Sequence, residues 1–358
     1  MEKNIDFLGV NGAAQGELAA YMSGERIDVG QLRPFIGNDG KAYMTVYTGG
    51  NAKSPKSYKT VPLNTNATLR RDEWKQLDEA VLKISETRLG GVADLIKKGL
   101  VFNLGNGMGT TVLETHTMSD AMEADLTMDG ISRSKNDRVN YETKYLPIPI
   151  IHVDYEINLR ALSASRKMGN ALDVTSAERA TRKVNEKLET MLFTSTSYTF
   201  GGGTIYSYLN HPDRNQETLS TDWDASAKTA ATILADVLKM KQASIDAKHY
   251  GPWMLYIPTA YETILDEDYD TTKSNTIRER ILKIGGIQGI EVIDKLTANN
   301  VILAQMTSDV VRLVHGMGIQ NVEWKSEGNF ITNYKVMTIQ VPQVRSDQDG
   351  NSGIVHLA

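Results

Sequence analysis

At 358 residues, with 41% hydrophobic and 23% charged side chains, the chain can bury at least one large core, which excludes wholesale disorder. A net charge of −5 leaves no basic footprint for wrapping nucleic acid tightly, and the absence of cysteine removes disulfides, thiolate metal sites and cysteine nucleophiles. No apolar run approaches the roughly 20 residues that span a bilayer, and the opening MEKNIDFLGVNG lacks the apolar centre of a secretory signal, so the sequence reads as cytoplasmic in origin with no membrane partner.

Residues 1–67 are rich in Gly, Asn, Lys and Thr and read as an extension or arm. Within it, Asn38-Asp39-Gly40 supplies turn chemistry between two short strands over Leu32 to Tyr47, and Gly49 to Lys59 reads as an exposed linker. Asp72 to Leu89 is predicted as a helix, with Trp74, Leu77, Val81 and Ile84 on one side and Asp72 and Glu73 at the favourable end of its dipole. Gly90-Gly91 ends it, and Val92 to Lys98 makes a short helix closed by Gly99.

Asn103 to Tyr145 carries strand-like runs at Thr110 to Thr115 and Ala124 to Thr127 around polar turns, with tips at Met128-Asp129-Gly130 and Ser132 to Arg138. So long a hairpin with little core of its own is unusual inside a compact domain, and alone it is marginal.

Leu146 to Phe193 reads as strand, short helix, turn and long helix. The apolar run LPIPII passes into alternation at Val153, Tyr155 and Ile157, and Leu159 to Met168 forms a short helix broken by Gly169-Asn170. Thr175-Ser176-Ala177-Glu178 has the form of a capping box. Beyond it, Ala177, Ala180, Val184, Leu188, Met191 and Leu192 share one face while Glu178, Arg182, Lys183, Glu186, Lys187 and Glu189 cover the others.

The glycine triplet Gly201-Gly202-Gly203 lacks the Gly-Lys-Ser/Thr of a phosphate loop, and Leu209-Asn210-His211-Pro212 is read as a turn. Asp224 to Ala247 is predicted as a helix with Ala227, Ala231, Leu234, Leu238 and Ile245 among its apolar positions. WMLYIP then reads as a buried strand leading to a helix at Thr259 to Leu265. In the acidic loop that follows, Asp266, Asp268 and Asp270 mimic the opening of a calcium loop. The sixth position is Thr271 and the twelfth Ile277, however, so a solvated acidic loop is the better reading.

A helix at Thr276 to Lys283 precedes strands at Glu291 to Asp294, Val301 to Gln305, Val310 to His315, Val322 to Lys325 and Ile331 to Val341. A turn at Asp347 to Gly350 then leads to a last strand at Ile354 to Leu357. Six scattered histidines form no metal-ligand pair, and His152, on a buried strand, is read as a packed, hydrogen-bonded side chain. No nucleophile elbow or dinucleotide fingerprint occurs, so neither an enzyme nor a cofactor is implied.

Three stretches carry a resemblance: LPIPIIHVDYEINLRALSASRKMGNALDVTSAERATRKVNEKLETMLFTS, LRRDEWKQLDEAVLKISETRLGGVADLIKKG and GPWMLYIPTAYETILDED. They resemble corresponding parts of encapsulin shell proteins and, more closely, of a group of tailed-phage major capsid proteins, over about residues 68 to 358. The resemblance implies an α+β chain of the Hong Kong-type phage capsid fold, with N-terminal arm, extended loop hairpin, peripheral domain with a long spine helix, and axial domain. Its expected partition is 1–67 arm, 68–104 N-terminal helices, 105–145 extended loop, 146–222 peripheral domain, 223–315 axial domain and 316–358 return to the peripheral domain.

The same resemblance places Met128, Asp129, Ser134, Lys135, Asn136 and Asp137 at an intersubunit loop tip. It places Asp266, Glu267, Asp268, Asp270 and Lys273 around a capsomer axis. Some members of the fold join subunits by Lys–Asn isopeptide bonds, but the match does not cover those residues, and Lys135-Asn136 carries no such expectation. The implied function is a major capsid protein assembling into pentamers and hexamers of an icosahedral head, in the bacterial host cytoplasm. Its implied partners are itself, a portal protein, a scaffold or decoration protein, and packaged double-stranded DNA. An encapsulin-type compartment enclosing a cargo enzyme is the alternative, against which the 65 or so residues before the first helix weigh. A soluble α/β enzyme with an unrecognised site is the second.

Overall fold

The computed structural model describes residues 33–47, 54, 56, 58–62, 69–87, 90–105, 107–118, 126, 128, 141–168, 174–270, 273–325, 331–347 and 349–358. Its helices are α1 (Arg71–Thr87), α2 (Gly90–Lys97), α3 (Leu159–Met168), α4 (Thr175–Phe193), α5 (Ala230–Asp246), α6 (Glu262–Leu265) and α7 (Ile277–Leu282). Among the described residues no helix is long and apolar enough to cross a membrane.

The longest of these, α4, lies against a four-stranded sheet ordered Val101–Asn103, Val311–Lys325, Ile331–Val344, Ile151–Asn158. Its stripe of Ala180, Val184, Leu188, Met191 and Leu192 joins Val314, Val336 and Ile339 of that sheet in the largest core. Each such side chain, fully removed from water, contributes about 1.5–3 kcal/mol. The predicted capping box does not form: the helix begins at Thr175, and the residue before it is Val174, which has no side-chain acceptor to offer.

At the far end of α4 the Phe193 ring packs edge-on to both Tyr208 and Tyr256. Helix α2 crosses here at Gly91, where a Cβ would collide with the Phe193 ring. The two glycines therefore open α2 rather than merely end α1. Gly91→Val is expected to cost about 1–3 kcal/mol through overpacking, read as a lowered Tm, while Gly99→Ala, whose Cβ meets open space, acts only through its positive φ of 72°.

The sequence reads Val310 to His315 and Val322 to Lys325 as separate strands, but the structure runs them together as Val311–Lys325. Glycines 316 and 318 sit where the register shifts between His315 and Gln320, so the strand bulges and continues. Gly316 also lets the chain at Gly107 pass with its backbone in contact, since a Cβ on Gly107 would stand 2.5 Å from the Gly316 carbonyl oxygen.

A second sheet is ordered Asn215–Glu217, Ile354–Leu357, Val301–Gln305, Trp253–Pro258, Ile287–Ile293. Its core includes Trp223, Ile233, Val237, Met240, Trp253, Leu255 and Ile257. The final strand is expected with the return to the first sheet; it lies instead between Asn215–Glu217 and Val301–Gln305, pairing parallel and antiparallel. Val311–Lys325 enters the first sheet before residue 316, and with the final strand in the second sheet the chain crosses between sheets once more than the linear partition allows.

Helix α5 starts at Ala230, not Asp224, because Thr229 and Thr232 form the reciprocal cap that the long helix lacks. Its buried side is Ile233, Val237, Met240 and Ser244, whereas Leu238 is exposed. Apolar residues on every side of this helix concealed the true face. His152, read as packed on a buried strand, is half exposed and 3.4 Å from Asp154, because the strand leaves the buried layer at Ile151.

A third core ties down the segment around residue 35, with Phe35, Leu69, Trp74, Leu77, Leu162, Ala177 and Tyr334. Strands Phe35–Ile36, Ala42–Tyr47 and Tyr58–Pro62 make an antiparallel sheet here, so part of the expected linker is strand. The Arg33 guanidinium sits 4.5 Å from the Trp74 ring centre and 2.5 Å from Asp78, both ions fully buried. Burial pushes the Asp78 carboxyl up, and Arg33 offsets part of that. Nearby, Arg166 of α3 donates to both carboxylate oxygens of Glu73 at 2.7 and 2.5 Å, fastening α3 to α1.

Candidate functional site

Between the two α1–α2 helices and the spine helix the chain leaves the body as a ribbon. Val112–Met118 pairs antiparallel with Tyr141–Pro147, in register from Val112↔Pro147 to Met118↔Tyr141. Its base is anchored: Leu146 and Ile148 are buried, Leu113 packs on the main core, and the Ile148 amide donates to the Thr111 carbonyl at 2.9 Å. A small hairpin, Tyr198–Phe200 with Gly203–Ile205, backs this base. Only glycine fits at 203, since a Cβ there would collide with the Tyr145 carbonyl, and Gly201 and Gly202 make the tight turn at φ of 58° and 79°.

Burial falls away outward. Tyr141 through Thr143 are exposed, Tyr145 is 41% exposed, and Tyr198 and Phe200 on the backing hairpin are half exposed. Leu126 and Met128, between the two strands in sequence, are wholly exposed. Two-stranded ribbons are marginal in water and apolar residues clustered in the open mark contact surfaces. Of the predicted tip residues, Met128 is therefore exposed; Asp129, Ser134, Lys135, Asn136 and Asp137 lie outside the described residues, as does most of the expected strand Ala124 to Thr127. The aromatic residues were not singled out from sequence, although Tyr141 and Tyr145 share a face by strand alternation and Tyr198 and Phe200 share another.

The acidic loop is a second ribbon, set between α6 and α7. Asp268–Asp270 pairs with Lys273–Thr276, and the Ile277 amide donates to the Glu267 carbonyl at 3.0 Å. Alternation turns Tyr269 toward the second core and leaves Asp268 and Asp270 exposed. Asp266 accepts from Arg278 at 2.8 Å, and Thr276 caps α7 through the Glu279 amide. The backbone of Lys273 is in the ribbon; its side chain is outside the described residues. Among the described residues no three carboxylates and histidines stand together as a metal site.

Residues 64–357 match the profile of a family described as a family of unknown function, DUF6260. The chain belongs to that family. No curated protein matches it by sequence. In structure, this DUF6260 chain is similar to the virus-like particle from Pyrococcus furiosus, at 19% identity and a TM-score of 0.59, over 79% of this chain and 98% of that one. The capsid of Myoviridae phage XM1 matches over 73% of this chain and 90% of that one, at 9% identity and a TM-score of 0.57. A structure from Mycobacterium phage Adephagia matches over 74% of this chain and 89% of that one, at 10% identity and a TM-score of 0.53. The DUF6260 chain therefore has the α+β Hong Kong-type capsid fold, with α4 as its spine. The Arg33-to-Pro62 sheet lies before the family match begins.

Proposed function

We propose that this protein is the major capsid protein of a tailed bacteriophage, a structural protein rather than an enzyme. It assembles into pentamers and hexamers of an icosahedral head, in the host cytoplasm, around double-stranded DNA delivered through a portal protein. A scaffold or decoration protein is a further partner. The observation that carries this reading is the ribbon Val112–Met118/Tyr141–Pro147, projecting from a body of capsid fold with its aromatic and apolar side chains uncovered. A neighbouring copy in a ring would cover them, and repeated head-to-tail contacts close such rings.

In this reading residues 105–145 are the intersubunit loop, with Met128, Asp129, Ser134, Lys135, Asn136 and Asp137 at or near its contact. The ribbon with Asp266, Glu267, Asp268, Asp270 and Lys273 faces the capsomer axis, in an axial unit built on the five-stranded sheet, which also takes in the last strand. The peripheral unit is built on the four-stranded sheet and α4.

The test is expression of the full chain and negative-stain electron microscopy of the soluble fraction, with mass spectrometry of virions from a lysate that encodes it. Closed shells or rings of five or six, and abundance in virions, are expected; a monodisperse monomer that is also absent from every particle would sink the reading. Leu126→Asp/Met128→Asp should leave Tm unchanged within about 0.5 kcal/mol of stability, as befits exposed positions, yet abolish rings. Similarity to the Pyrococcus furiosus virus-like particle, nearly the whole of which is matched, favours a second reading as a compartment shell. A cargo protein inside purified shells, in place of nucleic acid, would select it.

A further inference from the structure

Where the extended ribbon meets the body, a chain of polar side chains links it to the last strand of the five-stranded sheet. Lys144 Nζ on the ribbon donates to Ser346 Oγ at 3.1 Å, and that hydroxyl donates to Asp213 Oδ2 at 2.5 Å. The Asp213 amide donates to His211 Nδ1 at 3.2 Å. Arg214 then bridges two histidines: its Nη1 donates to the His211 carbonyl at 2.9 Å and its Nε to His356 Nδ1 at 3.4 Å. His356 Nε2 closes the chain on Asn300 Oδ1 at 2.6 Å. Both imidazoles are buried, at 5% and 8% exposure.

This geometry dictates protonation. Asn300 Nδ2 donates to the Thr297 and Ala298 carbonyls, so its oxygen faces His356 and Nε2 there must carry the hydrogen. At each histidine Nδ1 meets an N–H that can only donate, the Asp213 amide at one and the arginine at the other. Each ring is thus held as the neutral tautomer protonated on Nε2. A second proton at Nδ1 would set N–H against N–H and break the link. The charged groups facing His211 are Asp213, Arg214 and, from the ribbon, Lys144, with the Tyr206 ring edge-on to it; Arg214 faces His356.

We propose that this chain is an acid-sensitive latch on the base of the extended ribbon: with His211 and His356 neutral it fastens the ribbon to the body, and a proton on either ring unfastens it. Burial brings each imidazole from 6.5 down to about 4, with Arg214 adding to it at both rings and Lys144 at His211, where Asp213 pulls the other way. A histidine whose folded value is depressed favours the neutral state, so the stability it confers is present above about pH 6.5 and is lost as pH falls toward 4. The latch concerns one chain and holds whether or not shells form.

The test is hydrogen exchange by mass spectrometry on the full chain at about pH 6.5 and about pH 4, corrected for intrinsic rates. Exchange in 112–118 and 141–147 should rise roughly a hundredfold on acidification, while 175–193 stays protected, since each pKa unit of differential protonation is worth a factor of ten in opening and each ring is depressed by more than two. His211→Asn/His356→Asn keeps an acceptor near each Nδ1 position and cannot be charged; it should remove most of the acid response. Ser346→Ala should raise ribbon exchange already at pH 6.5. An unchanged ribbon in the native protein at about pH 4, or the full response surviving in the double variant, overturns the latch. Should the double variant not fold, NMR titration of the native histidine rings decides: two rings must titrate below about 5, and fewer than two overturns it.

Discussion

Leu188→Ala should destabilise the protein by about 3–4 kcal/mol, the larger of the two effects expected in the core, because the cost of a buried Leu truncation is lost transfer energy plus an unfilled cavity. Leu188 is fully buried at the middle of α4, in the same core as residues of the four-stranded sheet and of α2. The surrounding side chains come from a helix and a sheet that are each held elsewhere, Phe193 by two tyrosines and Ala177 by the third core, so collapse into the void is restricted. Urea denaturation followed by near-ultraviolet circular dichroism measures it. Lys187→Ala, exposed one residue earlier, is the control and should move stability by less than about 0.5 kcal/mol. A Leu188 effect no larger than the control would mean that α4 is not the spine of the core.

Asp78→Ala is the second, expected to cost about 3 kcal/mol or more by stranding the Arg33 guanidinium without its counter-charge. Arg33 lies 1% exposed under Trp74, and the bond to Asp78 is the side-chain contact that neutralises it. The same reasoning gives the double variant Arg33→Met/Asp78→Leu most of that stability back, since two apolar side chains need no pairing. Non-additivity in this thermodynamic cycle is the diagnostic. Additive losses would show that the segment before α1 is not docked by this pair. Proteolytic clipping ahead of residue 69 should accelerate in Asp78→Ala and return to normal in the double variant, because Arg33, Phe35 and the Trp74 bond to the Pro34 carbonyl anchor that segment together.

Local pattern made much of this legible. The 3.6-residue spacing of Ala180, Val184, Leu188 and Met191 specified both the helix and the face it buries, since a single stripe carried nearly all its apolar residues. The continuous apolar run at Trp253–Pro258 likewise had one reading, a strand covered on both faces. Where a pattern was degenerate the reading failed. Leu238, counted among the apolar positions of α5, is exposed while Val237 is buried, and one bulged strand, Val311–Lys325, reads in the sequence as two. The acidic ribbon was recognisable by its run of aspartates, but Arg278 as the partner of Asp266 was not, because they meet twelve residues apart across a turn.

What the sequence alone determined, then, is set by interactions between residues near in the chain: helix and strand periodicity, the turn chemistry of Gly201 and Gly202, the missing cysteine and the absence of known catalytic motifs. The contacts that assign Ile354–Leu357 to the five-stranded sheet, face Gly107 with Gly316, and join Lys144 to Ser346 and Arg214 to His356 link positions from about 50 to more than 200 residues apart. No local preference encodes them. They exist only because the two sheets, once packed, bring those side chains within hydrogen-bonding distance, and tertiary structure alone decides such neighbours.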